Sequence, residues 1–327
     1  MPLNERLRRS LALIALVAGI ASAHAQDTAT PPAPATENVT VTGLKDTEAA
    51  VSKFVGAMTV PTRAAGKLAR WKDGVCPLAV GVRPEIANLL TKRLRAVAAQ
   101  AGAPVNSREA CPPNIEIIFT TAPQVLLDNI RVMHPILLGA FDNSAQGEQL
   151  ATMRAPIQSW YITATVDLHG QVQVDGGRKG GVTMTMALPQ AGYGGPATGA
   201  PDMLVMNLPD ASSASTSGSR LGDGVSSAVT NVVIVADTSK LVNRDAVVLA
   251  DYIAMLALAQ IQPPESCQDL PSILNLFVAG CSRAAGALTP GDIAFLQALY
   301  KITATTTVYG QRSEMTYQMN KALGAAK

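Results

Sequence analysis

The apolar residues of this chain fall into short segments whose spacing predicts alternating strands and helices. Val75–Val82 and Ile115–Thr120 are the short apolar segments that are typical of buried strands. Between them, Pro84 begins a segment with its apolar residues on one helical face, and Gly102 and Pro104 end that segment. A strand, a helix and a strand of this length predict a right-handed β-α-β unit with two parallel strands.

The rest of the chain predicts further helices and strands. Trp160–Leu168 alternates between apolar and polar residues, which predicts a strand followed by a hairpin at Gly170. Asn231–Asp237 is apolar along its length and predicts a central strand. Arg244–Ile261 is apolar on nearly all sides, which predicts a deeply buried helix. Three further helices are predicted at Glu48–Met58, after the Thr289–Asp292 cap, and around Met315, Met319 and Leu323.

The predicted elements belong to one domain with a long insertion. Residues 26–47 are rich in Pro, Ala and Thr and predict a flexible linker, so the domain is expected to cover 48–327. Within it, residues 176–225 are rich in Gly, Ser and Pro, with Met203–Leu208 as the one firm apolar segment. A loop of this length in a domain is usually functional or disordered.

The N-terminus has the pattern of a secretory signal peptide. A basic segment with Arg6, Arg8 and Arg9 precedes the apolar run Leu11–Ile20, and Ala23-His24-Ala25 predicts cleavage after Ala25. The apolar run is too short to span a bilayer, for which about 20 residues are needed. We therefore expect a periplasmic or secreted protein, with residues 1–25 removed and no transmembrane segment in the mature chain.

Cleavage would also remove the small excess of positive charge. Residues 1–25 contain three of the 26 basic residues and one of the 24 acidic residues, which leaves 23 of each. A neutral chain with 4% aromatic residues has no electrostatic attraction to nucleic acids, so no nucleic-acid partner is expected.

Four cysteines remain in the exported chain, an even number that is typical of disulfide-bonded proteins in an oxidising compartment. Three pairings are possible. We favour Cys76–Cys111 and Cys267–Cys281, because each pair encloses one local unit and a short loop.

The segment from Leu249 to Tyr300 resembles the end of a matrixin-like metzincin protease. It contains a Leu-Ala-Leu helix, a Ser-Ile-Leu-Asn turn at 272–275, and a Leu-Thr-Pro-Gly-Asp-Ile helix that ends in Leu-Gln-Ala-Leu-Tyr. The resemblance implies a zincin-like α/β (α+β) fold, in which a mixed sheet has a buried helix below it and closing helices at the C-terminus.

The same alignment implies that the zinc ligands are lost. Ala250, Ala254 and Gln260 take the positions of the three zinc-binding histidines, Asp251 that of the glutamate base, and Leu274 that of the methionine in the turn. Alanine has no donor atom for zinc, and a catalytic zinc site needs three protein ligands. We therefore expect no metal, no cofactor and no catalytic residue at these positions.

Other interpretations of this region remain open. The helix could be an ordinary core helix of an unrelated α/β domain. Three segments, 69–77, 111–115 and 250–255, also resemble a family of exported alphaproteobacterial proteins that has no assigned activity. Asp251 has to be hydrogen-bonded in so apolar a helix. We expect it to accept backbone amides from the turn in the 270s, with assistance from Arg244 or Tyr252.

These observations predict an exported, non-catalytic protein on a degenerate protease scaffold that binds a protein or peptide partner. One alternative is a periplasmic hydrolase whose active residues lie in 176–225 or around Asp251. Another is a structural envelope component that docks through Val39–Gly43, a segment that resembles the start of mature TonB-dependent receptors.

Overall fold

A computed structural model describes residues 47–108, 110–176, 182–187, 203–208 and 224–325. The predicted signal peptide, and the arm as far as residue 46, lie outside these residues. The helices are α1 Thr47–Met58, α2 Pro84–Ala101, α3 Pro123–Met133, α4 Ser144–Leu150, α5 Ala246–Leu258, α6 Pro290–Lys301 and α7 Val308–Ala325. The strands are β1 Ala69–Trp71, β2 Pro77–Val80, β3 Ile115–Thr120, β4 Ile157–Val166, β5 Val172–Val174, β6 Val182–Ala187, β7 Met203–Leu208 and β8 Ser226–Asp237.

The central feature is a mixed sheet with the strand order β2-β3-β8-β4-β5. Strands β2, β3 and β8 run parallel, whereas β4 and β5 are antiparallel to their neighbours. The first half of β8 pairs with the short strand β1, and its second half pairs with β3. The predicted parallel β-α-β unit is therefore confirmed, as is the central position of the strand at 231–237.

The sheet separates two apolar cores, because the side chains of each strand alternate between its faces. In β8, Val232 and Ile234 belong to the larger core, which also contains residues of α1, α2, α5, α6 and α7. Val233 and Val235 belong to the smaller core, which contains residues of α3 and of the 3-10 helix Pro135–Leu138. The fold is thus α/β, with helices on both faces of a mixed sheet.

Helix α5 is the most deeply buried helix of the larger core. Every residue from Leu249 to Leu258 is buried, as its all-round apolar pattern predicts. The helix is shorter than the predicted 244–261, because the side chain of Asp245 caps its N-terminus by accepting from Val247 N and Val248 N. It packs against α2 and against strands β4 and β8.

Three strands were not predicted: β1, β6 and β7, the last of which was expected only as an apolar segment. Strand β1 has only three residues, too few for an alternating pattern to be visible. Strand β6 pairs with β7 in an antiparallel hairpin inside the predicted insertion at 176–225. Its sequence Val-Thr-Met-Thr-Met does alternate between apolar and polar residues, but this short signal is surrounded by Gly-rich and Pro-rich segments. Met184 of β6 is buried in the smaller core.

Both favoured disulfide pairings are confirmed. Cys76 is bonded to Cys111, and Cys267 is bonded to Cys281. Disulfides form and persist in oxidising compartments, so they indicate an extracytoplasmic location.

None of the helices within the described ranges is long and apolar enough to cross a membrane.

Candidate functional site

Two of the three positions that the metzincin resemblance assigns to zinc ligands lie inside the larger core. Ala250 and Ala254 are 1% and 0% exposed and pack among its apolar residues. Gln260 lies beyond the end of α5 and is half-buried. The side chains of Ala250 and Ala254 are therefore enclosed by the core, whereas Gln260 is not.

Asp251 is held by two donors from distant parts of the chain. Its Oδ1 accepts from Nε of Arg93, on α2, at 2.5 Å, and its Oδ2 accepts from the backbone N of Leu288 at 3.0 Å. The hydrogen bond to Asp251 raises the pKa of the Arg93 guanidinium. The carboxylate thus links α2, α5 and the segment before α6.

The expected partners of Asp251 have other contacts. The guanidinium of Arg244 lies 5.8 Å from the ring centroid of Phe277, and the Tyr252 ring meets the same ring edge-on at 4.9 Å. In the 270s turn, the backbone N of Ile273 donates to Asp292 instead. The prediction that Asp251 accepts a backbone amide is right, but the amide comes from residue 288.

Gln260 and Leu274 complete the predicted set. Gln260 Oε1 has no hydrogen-bonding partner among the described residues, and it lines a small cleft with room for about one water molecule. Leu274 is buried in the 3-10 helix Ile273–Phe277, which packs against α5. The described residues contain no group of three His, Cys, Asp or Glu side chains that could hold a metal ion.

On the opposite face of the sheet, two buried polar residues have side-chain atoms without hydrogen-bonding partners in the described structure. Glu116, the second residue of β3, is 0% exposed, and neither of its carboxyl oxygens has a hydrogen-bonding partner on another residue in the described structure. Asn231, near the middle of β8, is 1% exposed, and its Nδ2 also lacks a partner there. We refer to these two residues as the Glu116–Asn231 pair.

The strand register places the two side chains on the same face of the sheet, as diagonal neighbours on adjacent strands. Glu116 is aligned with Val233 of the parallel neighbour β8, and Asn231 precedes Val233 by two residues. Both side chains therefore point to the face that carries the smaller core. Diagonal neighbours on adjacent strands have Cα atoms about 7–8 Å apart, which is within reach of long polar side chains.

The surroundings of the pair are apolar. Leu78 on β2 and Val233 on β8 flank Glu116, and Ile162 on β4 is aligned with Asn231. All three contribute to the smaller core, which also contains Met184 of the β6–β7 hairpin. Burial among these residues raises the pKa of the Glu116 carboxyl to about 8.

At neutral pH the pair therefore offers complementary hydrogen-bonding groups. A protonated carboxyl has one donor and acceptor capacity, and an amide nitrogen has two donors. In an apolar environment such groups bind a polar group strongly, because leaving them unpaired is costly.

The sequence contains a signal for this pair that the apolar pattern alone does not reveal. The segment Ile-Glu-Ile-Ile-Phe-Thr predicts a buried strand, yet it has an acid at its second position. A strand buried on both faces leaves no solvent-facing position for a carboxylate. The acid within the apolar run is therefore the informative residue.

No protein-family model, no curated protein and no solved structure matches this chain. The candidate site consequently depends on geometry alone.

Proposed function

We propose that the protein is an exported, non-catalytic binding protein, which takes up a small polar group at the Glu116–Asn231 pair. The observation that carries this proposal is the burial of the two carboxyl oxygens of Glu116 and the amide nitrogen of Asn231, none of which has a partner on another residue in the described structure. Buried polar side chains are nearly always paired with protein, water or a ligand. A ligand that supplies both a donor and an acceptor satisfies the two residues together.

The β6–β7 hairpin supports an entry route for such a ligand. In the described residues, its two strands pair only with each other, and Met184 packs into the core that contains the apolar neighbours of the pair. A hairpin that is not part of the main sheet can move without breaking the ladders of β3, β4 and β8. A protein or peptide partner would reach the Glu116–Asn231 pair by inserting one polar side chain beneath the β6–β7 hairpin.

The contacts of Asp251 favour a binding role over the hydrolase alternative. Both of its carboxylate oxygens already accept hydrogen bonds, and the side chain has no exposed surface. A general base needs access to the substrate proton at hydrogen-bonding distance. Asp251 lacks that access, so its role is to hold the helices together.

The order of a sheet, a buried helix, a tight turn and a capped closing helix supports a degenerate metzincin scaffold. On this proposal the protein folds without metal. The test is the zinc content of the native protein, measured by inductively coupled plasma mass spectrometry. We expect less than about 0.1 equivalents, and one tightly held equivalent per chain would contradict the proposal.

Ligand binding is tested with the wild type and three variants. Glu116→Leu and Asn231→Leu remove the proposed recognition groups, and Glu148→Gln changes an exposed glutamate as the control. Each protein is heated with a panel of amino acids, amides, polyamines and monosaccharides. A compound that binds the site raises Tm in the wild type and in the control, but not in either leucine variant.

Two results would overturn the binding role. One is a panel in which every compound that stabilises the wild type stabilises both leucine variants equally. The other is a wild type that responds to no compound and carries no co-purified small molecule by native mass spectrometry, while both leucine variants are more stable than it is. In that case the Glu116–Asn231 pair would bind no ligand and would only lower the stability of the fold.

Export itself is tested by N-terminal sequencing of the mature protein, which we expect to begin at Gln26. The envelope-component alternative predicts membrane co-fractionation that is lost when residues 27–43 are deleted. Soluble behaviour of both forms would exclude that alternative.

A further inference from the structure

The Cys76–Cys111 disulfide has the guanidinium group of Arg95 next to its sulfur atoms. Nη2 of Arg95, on α2, lies 3.2 Å from Sγ of Cys111 and 3.9 Å from Sγ of Cys76. Nη1 of the same guanidinium donates to the backbone O of Asn106 at 2.9 Å, which fixes its orientation. The Cys267–Cys281 disulfide has no cation at its sulfurs in the described part of the chain.

The two cysteines beside Arg95 differ in access to solvent. Cys76 is 3% exposed and directly precedes β2. Cys111 is partly exposed, between the exposed residues Ala110 and Pro112. An incoming thiol can therefore reach Cys111, whereas Cys76 is shielded.

We propose that Cys76–Cys111 is a site of thiol–disulfide exchange with a dithiol reductant, and that Arg95 promotes the reaction. The thiolate of the reductant attacks Sγ of Cys111, the bond between the two cysteine sulfurs breaks, and its electron pair leaves on Sγ of Cys76. The second thiol of the reductant then attacks the mixed disulfide, which releases Cys111 as a thiol. The reductant is oxidised to its own disulfide, and the two cysteines are reduced.

The charge of Arg95 acts on both the attacking thiolate and the leaving thiolate. A guanidinium beside Cys111 attracts the negatively charged thiolate and orients it towards the accessible sulfur. The same charge stabilises the thiolate that leaves on Cys76, and exchange is faster when the leaving thiolate is more stable. The Cys267–Cys281 bond lacks both effects and is expected to react more slowly.

The experiment measures the reduction rate of each disulfide in the purified full chain. Dithiothreitol is the dithiol, samples are quenched by alkylation, and peptide mass mapping follows the two bonds separately. We expect Cys76–Cys111 to be reduced about tenfold faster than Cys267–Cys281. A parallel reaction with glutathione, a monothiol, should place the mixed disulfide on Cys111 rather than on Cys76.

Variants of the arginine separate the chemical role from a structural one. Arg95→Gln should slow the reduction of Cys76–Cys111 by about tenfold, and Arg95→Lys should restore part of the rate. Arg108→Gln, which removes an exposed arginine near Cys111, is the matched control and should leave the rate unchanged. If Arg95 only held the loop through Asn106, its loss would loosen the loop and accelerate reduction.

Three outcomes would overturn the proposal. They are equal reduction rates for the two bonds, a rate in Arg95→Gln that equals or exceeds that of the wild type, and an equal slowing in Arg108→Gln. Any of them would identify Cys76–Cys111 as a purely structural disulfide.

Discussion

At the scale of single residues, the ion pair between Arg93 and Asp251 is strongly asymmetric. The Arg93 side chain is 39% exposed, whereas that of Asp251 is 0% exposed. Water can therefore solvate the arginine when its partner is lost, but it cannot reach the aspartate. Breaking a buried pair is costly when it leaves a charge buried and uncompensated.

This asymmetry predicts unequal effects of the two single substitutions. Arg93→Met leaves the Asp251 carboxylate with only the Leu288 amide, and we expect it to lower the free energy of unfolding by about 3 kcal/mol. Asp251→Asn leaves a solvated arginine, and we expect a loss of about 1–2 kcal/mol. Lys92→Met, at an exposed neighbouring position on α2, should change stability by less than about 0.5 kcal/mol. Urea denaturation measures all three, and a larger loss in Asp251→Asn than in Arg93→Met would contradict this account.

The raised pKa of Glu116 predicts a pH dependence of a definite sign. The pKa is about 8 in the folded protein, against a reference value of 4.5 for an exposed glutamate. The folded state therefore binds this proton more tightly than the unfolded state does. The resulting stabilisation is fully present below pH 4.5 and is lost as the pH rises through 8.

The measurement compares the wild type with Glu116→Gln, which cannot ionise. Between pH 4.5 and 8, the wild type should lose stability relative to the variant by about 1.4 kcal/mol per pH unit at most. Denaturation at several pH values gives this difference, and Glu148→Gln serves as the exposed control. Parallel curves for the wild type and Glu116→Gln would mean that this carboxyl binds its proton equally tightly in the folded and unfolded states, which would contradict the raised pKa.

At the scale of elements, the carboxylate of Asp292 joins α6 to the turn beneath α5. It caps α6 in a reciprocal capping box with Thr289, as the sequence predicts. It also accepts from Ser272 Oγ at 2.5 Å and from Ile273 N at 3.0 Å, so it fixes the start of the 3-10 helix that contains Leu274. One buried side chain thus positions two elements.

Replacing this carboxylate should uncouple the two elements. In Asp292→Asn, an amide NH₂ replaces one acceptor oxygen and faces backbone donors, so we expect a loss of about 2–4 kcal/mol. Asp245→Asn is the matched control, because the capping aspartate of α5 is exposed and asparagine caps a helix equally well. It should change stability by less than about 0.5 kcal/mol. Equal losses in the two variants, measured by thermal denaturation, would rule out the coupling role of Asp292.

The elements also show which features of the fold a sequence pattern can predict. Local signals were sufficient to predict α2, which begins at Pro84 and is terminated after Ala101 by Gly102 in a left-handed conformation. They were also sufficient for the capping box of α6 and for the apolar centre of β8. Each of these signals depends on neighbouring residues, so the pattern contains all the information that is needed.

Features that depend on distant residues could not be predicted in the same way. The partner of Asp251 is 158 positions earlier in the chain, and nothing near Asp251 indicates Arg93. The diagonal relation of Glu116 to Asn231 follows only from the register of β3 and β8. The candidate site combines two such long-range relations, burial and register, which explains why its position was missed.

At the scale of the whole molecule, the two disulfides stabilise the fold by different amounts, because they close loops of different length. Cys76 and Cys111 are 35 positions apart and enclose α2 with the beginning of the parallel sheet. Cys267 and Cys281 are 14 positions apart and enclose the turn beneath α5. In a chain-entropy model, the longer loop restricts the unfolded chain more strongly.

Replacing each pair by alanines should separate these contributions. We expect the Cys76→Ala/Cys111→Ala variant to lose about 4 kcal/mol and the Cys267→Ala/Cys281→Ala variant about 3 kcal/mol. Denaturant unfolding measures both losses, and the slope of the transition should rise in each variant, because the uncrosslinked unfolded chain exposes more surface. Reduction kinetics depend on Arg95, whereas these equilibrium losses depend on loop length. A larger equilibrium loss for the shorter loop, with no change in slope, would show that native-state contacts rather than chain entropy give the disulfides their stabilising effect.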